Sequence, residues 1–171
     1  MNRLLLAIFL LPSPIASGML PGPRECRLRL FHTHTREHLD VIYRRGGVYD
    51  PDALAKLDWF LRDHRVGELK HYDPQMFDLL TELQAKVGRP EAEIRVICGY
   101  RTPGSNARLR SRGSGVAESS LHMDAKAIDI RLPGVRTSRL RAAALALRRG
   151  GVGYYAGSDF IHVDVGRVRR W

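Results

Sequence analysis

Two short apolar runs near the C-terminal end each enclose a single ionisable residue: Ile128-Asp129-Ile130 and Ile161-His162-Val163. β-Branched neighbours favour extended backbone, and along a strand successive side chains point to opposite faces. Asp129 and His162 therefore share a face distinct from the Ile/Val face. A charge enclosed in this way needs an opposite charge or a metal ion beside it. These two runs require a sheet with an apolar side to bury and a polar side that satisfies a carboxylate and an imidazole.

The rest of the chain supplies elements to pack on such a sheet. Residues 27–31 and 39–43 alternate apolar and polar (Leu28, Leu30; Leu39, Val41, Tyr43) around the polar stretch His32 to His38, and predict a hairpin. Asp50-Pro51 and Asp73-Pro74 each read as an N-cap followed by a proline in the first helical turn. Leu54, Leu57 and Leu61 follow the first. Met76, Leu79, Leu80, Leu83 and Val87 follow the second and form one stripe that stops at Gly88. Ile94 to Cys98 predicts a buried strand, Gly99 to Gly104 a turn, and Asn106 to Arg112 a short helix before a Gly/Ser-rich loop. Ser138 is placed to cap a helix through Leu147 that ends at Gly150-Gly151. The expected fold class is α+β, with helices packed on a mainly antiparallel sheet and an N-terminal hairpin.

The N-terminus points to export. Met1-Asn2-Arg3 is basic, Leu4 to Leu11 is an unbroken apolar run, and Ala16-Ser17-Gly18 are small. That order is the pattern of a secretory signal peptide, and the run is far short of the roughly 20 residues a membrane-spanning helix needs. The expected division is a signal peptide over residues 1–18 and a single domain over 19–171, without a membrane span in the mature chain. The 28 Lys+Arg and 18 Asp+Glu give a net charge of +10, which favours an anionic partner. Export and the lack of a base-reading motif exclude nucleic acid and leave envelope polymers. Two cysteines are too few for a multi-cysteine zinc site. After export Cys26 and Cys98 could pair, or Cys98 stays a buried thiol.

His122 lies seven residues before Asp129. Zinc ligands bind at about 2.0–2.2 Å, so their donor atoms crowd within roughly 4 Å. Seven strand steps would separate the two residues by roughly 23 Å. They can serve one metal only if the chain turns near Met123 to Lys126. A structural histidine and a surface aspartate would satisfy the same spacing. His32, His34 and His38 invite a metal reading too, but alternation on an exposed hairpin accounts for them. His64 and His71 fall at or beyond a helix end, where a cation suits the helix dipole.

Three segments together resemble the MepK-type murein peptidases, within the wider clan of zinc D-Ala-D-Ala peptidases that includes VanX-like dipeptidases. They are Cys98-Gly-Tyr-Arg-Thr-Pro-Gly-Ser-Asn106, Ser120-Leu-His-Met-Asp-Ala-Lys-Ala-Ile-Asp-Ile-Arg131, and Gly153-Tyr-Tyr through Phe160-Ile-His-Val-Asp-Val-Gly166. Thr33-His34-Thr35, Tyr49-Asp50-Pro51 and Leu61-Arg62-Asp63-His64 extend the likeness toward residue 27. The resemblance implies a hedgehog/D-Ala-D-Ala-peptidase-like fold with Zn2+ held by His122, Asp129 and His162. It also implies that Arg101 binds substrate or the developing oxyanion. For the general base it implies Asp159, three residues before His162. Asp164 is the other candidate, or else a residue that orients a ligand imidazole.

The expected protein is thus a periplasmic or envelope zinc peptidase acting on peptidoglycan cross-links. Carboxypeptidase or dipeptidase action on stem peptides, and a wall-binding module without catalysis, are the alternatives.

Overall fold

A computed structural model describes residues 25–113 and 116–171, so the expected signal peptide lies outside the described residues. The hairpin is present as β1 (Glu25–His32) and β2 (His38–Arg45), followed by a short β3 (Val48–Tyr49). Helix α1 (Pro51–Phe60) begins as expected, with the Asp50 carboxylate accepting from the backbone N–H of Asp52 and Ala53. Helix α2 (Gln75–Lys86) buries Met76, Leu79, Leu80 and Leu83, and Asp73 accepts from the N–H of Gln75 at its start.

Strand β4 (Ile94–Cys98) leads through a turn into α3 (Pro103–Arg112), three residues earlier than the sequence suggests. The early start has a cause in Thr102, whose hydroxyl accepts from the N–H of Ser105. Then come β5 (Ala127–Arg131), α4 (Thr137–Leu147), β6 (Gly151–Tyr155), β7 (Phe160–Asp164) and β8 (Arg169–Arg170). Ser138 does not cap α4. The helix starts one residue before it, and Arg136 at the cap position makes no side-chain cap bond.

All eight strands form one sheet in the order β3-β2-β1-β4-β5-β7-β6-β8. Pairing is antiparallel except for β1 with β4 and β6 with β8. The expected α+β class holds. Leu28, Leu30, Ile94, Val96, Ile128, Ile130, Ile161 and Val163 alternate onto one face and are essentially unexposed. Helices α1, α2 and α4 supply Leu57, Met76, Leu80, Leu83 and Leu140 to the same core. Each such side chain contributes about 1.5–3 kcal/mol on leaving water. No helix among the described residues is long and apolar enough to cross a membrane.

Candidate metal centre

The polar face of the sheet assembles the site through strand register. Asp129 on β5 pairs directly with His162 on β7, and His162 pairs on its other side with Gly153 on β6. Cys98 on β4 pairs with Asp129 from the opposite flank. Directly opposed residues bring their Cβ atoms to about 4.5–5.5 Å, so this row concentrates a thiol, a carboxylate and an imidazole on one surface.

His122 joins them from outside the sheet. It sits in a 3-10 turn over Leu121–Asp124, where the Ser120 hydroxyl accepts from the His122 N–H. Ala125 ends the turn at φ 51°, in the left-handed region, and β5 starts two residues later. This is the reversal that a shared metal would need at this spacing.

Three acceptor atoms converge. His122 Nε2 lies 3.2 Å from Asp129 Oδ1 and 3.1 Å from His162 Nδ1, and His162 Nδ1 lies 3.0 Å from Asp129 Oδ1. The outer nitrogens are committed elsewhere. His122 Nδ1–H donates to the Gly99 carbonyl at 2.8 Å, and His162 Nε2–H donates to Asp164 Oδ2 at 3.0 Å. With the outer nitrogen carrying the proton, each ring in its neutral form turns a lone pair inward, beside a carboxylate oxygen. Lone pairs at this separation repel unless a cation lies among them, and two imidazoles with one carboxylate are a zinc-type donor set.

The electrostatics agree. Burial disfavours a charged His122, but the Asp129 carboxylate and Cys98 outweigh it and pull the imidazole up to about 10. Burial likewise opposes a charged Asp129, yet the His122 charge and hydrogen bonds from both histidines hold its carboxyl well below the usual range. Without a metal, a proton on His122 is the cation. Cys98 is a buried free thiol whose sulfur, with donor atoms of His122 and Asp129, falls in a group spanning no more than 4.8 Å. Cys26 is free as well.

The cluster opens on a cleft of about 730 Å³ that Arg101, Tyr155, Phe160 and Trp171 also line. Arg101 is buried, and its Nη1–H donates to a neutral acceptor, Asn106 Oδ1, at 3.1 Å. Its Nε–H has no partner among the described residues. Trp171 sits with its ring centroid 5.1 Å from that of His162. It is anchored there by backbone bonds to Val152 and Tyr154 and by its indole N–H donating to Tyr155. Gly153 is the floor beneath it, since a Cβ there would come within 2.7 Å of the indole. Nothing in the sequence pattern marked Trp171, because only the β6–β8 register brings the last residue back.

The two candidate bases lie elsewhere. Asp159 lies just before β7, at the end of a 3-10 turn over Ala156–Ser158 and with φ 53° in the left-handed region, and its side chain points away from the cluster. There it accepts from the Thr137 hydroxyl on α4 and lies 3.7 Å from Arg131, with its side chain 66% exposed. The structure does not bring it to the cluster. Asp164 is fully buried behind His162 and accepts from Gly151 N–H, Gly166 N–H and Arg169 as well. Those bonds outweigh its burial and keep its carboxyl well below the usual range. It accepts from His162 and does not line the cleft.

His32 departs from the exposed-hairpin reading. It is fully buried and packs edge-on against Phe60. Its Nδ1 accepts from the N–H of His34 and Thr35. His38 does stay outside, facing Glu93 at 2.8 Å.

The family model described as "Peptidoglycan L,D-endopeptidase MepK" matches residues 21–171. The chain is 40% identical over 166 residues to the probable peptidoglycan L,D-endopeptidase MepK of Haemophilus influenzae, covering 97% of this chain and 89% of that protein. It is 41% identical over 162 residues to the MepK proteins of Escherichia coli and Shigella flexneri, covering 95% of this chain and 88% of each of them. Matched by that family model over residues 21–171 and by these relatives over nearly its whole length, the chain belongs to the MepK family of peptidases.

Proposed function

We propose that this protein is an exported, zinc-dependent peptidase that hydrolyses peptide cross-links in peptidoglycan, with the L,D-endopeptidase activity its relatives are named for. The observation that carries the reading is the inward convergence of three acceptor atoms whose outer partners are already fixed. His122, Asp129 and His162 would hold the metal. When bound, zinc supplies Lewis-acid polarisation of a carbonyl and lowers the pKa of water.

The chain's own residues do the remainder. Gly99 O and Asp164 keep both imidazoles in the tautomer that presents a lone pair. Arg101 is a buried guanidinium whose hydrogen-bond partner, Asn106, is neutral, so it can place a fork of donors on a substrate carboxylate or on the oxygen that gains charge. Tyr155, Phe160 and Trp171 wall the cleft with aromatic surface and limit water at the reacting bond. Asp129 is the one carboxylate among the described residues lining the cleft, and it belongs to the metal set. Asp159 is thereby left a structural role at α4, and Asp164 the role of orienting His162.

Purified sacculi incubated with wild type and with His162→Ala, with and without a chelator, test this directly. Wild type should convert cross-linked muropeptide dimers to monomers, and the variant and chelated samples should not. Intact dimers after incubation with zinc-loaded wild type would overturn the reading. Release of single terminal residues alone would instead identify a carboxypeptidase.

A further inference from the structure

The cleft continues past the metal cluster to a second group of side chains from the N-terminal half, His34 and Arg65. His34 lies in the β1–β2 connection and stacks on His64, with ring centroids 4.3 Å apart and planes 9° apart. The connection is rigid. Thr33 donates twice to the Val96 carbonyl, and Glu37 accepts two bonds of 3.0 Å from Arg62. Burial and the nearby Arg65 charge lower the His64 imidazole to about 4, so it is a neutral platform at pH 7.

Arg65 is ion-paired in this group but has guanidinium N–H groups to spare. Its guanidinium lies 3.7 Å from Asp63 Oδ1, beyond hydrogen-bond length, and makes no side-chain hydrogen bond among the described residues. Asp63 is fully buried and already accepts from Thr102 N–H, Thr102 Oγ1–H and Arg65 N–H. One carboxylate thus ties the segment bearing Arg65 to the turn bearing Arg101. The cleft holds three arginines against one carboxylate, Asp129. Arg169 is neutralised by Asp164, with bonds of 2.8 and 3.1 Å. Arg101 makes no ion pair among the described residues, and Arg65 only the 3.7 Å pair with Asp63, which leaves its N–H groups free toward the cleft.

We propose that Arg65, beside the His34–His64 stack, is a second carboxylate-binding position, which takes a free carboxylate of a peptide stem away from the scissile bond. The assignment rests on the peptidase reading. It makes the N-terminal hairpin part of substrate recognition: a substrate must present one anionic group near Arg101 and another near Arg65. A cross-linked pair of stems carries several such groups.

The test uses two cross-linked muropeptide dimers, one with free carboxylates and one with those outside the scissile bond converted to carboxamides. Full-length wild type and Arg65→Gln, matched for zinc content and melting temperature, are compared by KM and kcat and by calorimetric binding. On the free-acid dimer, Arg65→Gln should raise KM about tenfold with a far smaller change in kcat, and Arg65→Lys should recover part of the loss. On the carboxamide dimer, the two proteins should differ by less than about twofold. An equal loss on both dimers, or no loss on the free acid, overturns the carboxylate position. Weaker free-acid binding by Arg65→Gln with no turnover by either protein supports the position and overturns the peptidase reading alone.

Discussion

Asp164 Oδ2 accepts the Nε2–H of His162 at 3.0 Å, and the same carboxylate is locked by two backbone N–H groups and by Arg169. An imidazole held through one nitrogen has its tautomer chosen for it, so His162 can turn only Nδ1 toward Asp129 and His122. A buried charge in a strand, expensive in isolation, here fixes the orientation of the residue two positions earlier.

Asp164→Asn should therefore act on metal affinity. The amide keeps the shape but loses the charge and presents N–H groups to donors. We expect zinc affinity to fall about 10- to 100-fold in a competition titration with a chromophoric chelator. An affinity within twofold of wild type, in a folded variant, would show that Asp164 does not orient His162.

Asp159→Asn and Asp129→Asn separate the acid expected as general base from the acid expected on the metal. Asp159 faces Thr137 and solvent. Its variant should retain kcat/KM on muropeptide dimers within about threefold, which is less than 1 kcal/mol in the barrier. Asp129→Asn should lose both stoichiometric zinc and turnover. A loss of 100-fold or more in Asp159→Asn with zinc retained would return the general-base role to Asp159.

Burial, with His64 and His34 nearby, lowers the His32 imidazole to about 4. The folded state thus takes up this proton less readily than the unfolded chain, whose histidine titrates near 6.5. Stability is unaffected by His32 above that value, falls as pH drops from about 6.5 to about 4, and levels off below. The full loss is about 3 kcal/mol. His32→Asn keeps an acceptor for the N–H groups of His34 and Thr35 without titrating. Urea unfolding at pH 7, 5 and 4 should show the variant gaining on wild type by up to that amount. A constant difference across the range would refute a neutral buried His32.

Gly99→Ala should destabilise the fold and the centre together. A Cβ at Gly99 would lie 2.4 Å from the Leu61 carbonyl oxygen, a backbone atom that cannot swing aside. The displaced peptide also carries the carbonyl that holds His122. We expect a loss of about 1–3 kcal/mol in denaturant unfolding, accompanied by weaker zinc binding. Wild-type stability in this variant would mean the turn relaxes freely.

Much of the architecture was legible because it follows local rules. Asp50-Pro51 started a helix, the leucine stripe of α2 was buried, and Ile94 to Cys98 formed a strand with the bounds its apolar run suggested. The start of α4 and the early start of α3 were missed, because capping depends on which hydroxyl or carboxylate is free to turn back. Thr137, next to the expected cap, is engaged with Asp159 across the domain. His32 was misplaced for a similar reason: alternation identifies a face, but only Phe60 on α1 made that face interior.

The sequence by itself determined which residues can do chemistry here. Asp129 and His162 had to leave the apolar face of their strands, and His122 could join them only through a turn near Met123 to Lys126. The tertiary structure decided which of these possibilities is realised and what surrounds them. Register set Asp129 opposite His162 and returned Trp171 to the cleft, while the turn before β7 took Asp159 away to Thr137. Packing of the N-terminal hairpin and of the segment after α1 brought His34 and Arg65 to the cleft that Arg101 lines. Those relationships join residues up to 137 positions apart, His34 to Trp171, and no local pattern encodes a distance that only a closed sheet order defines.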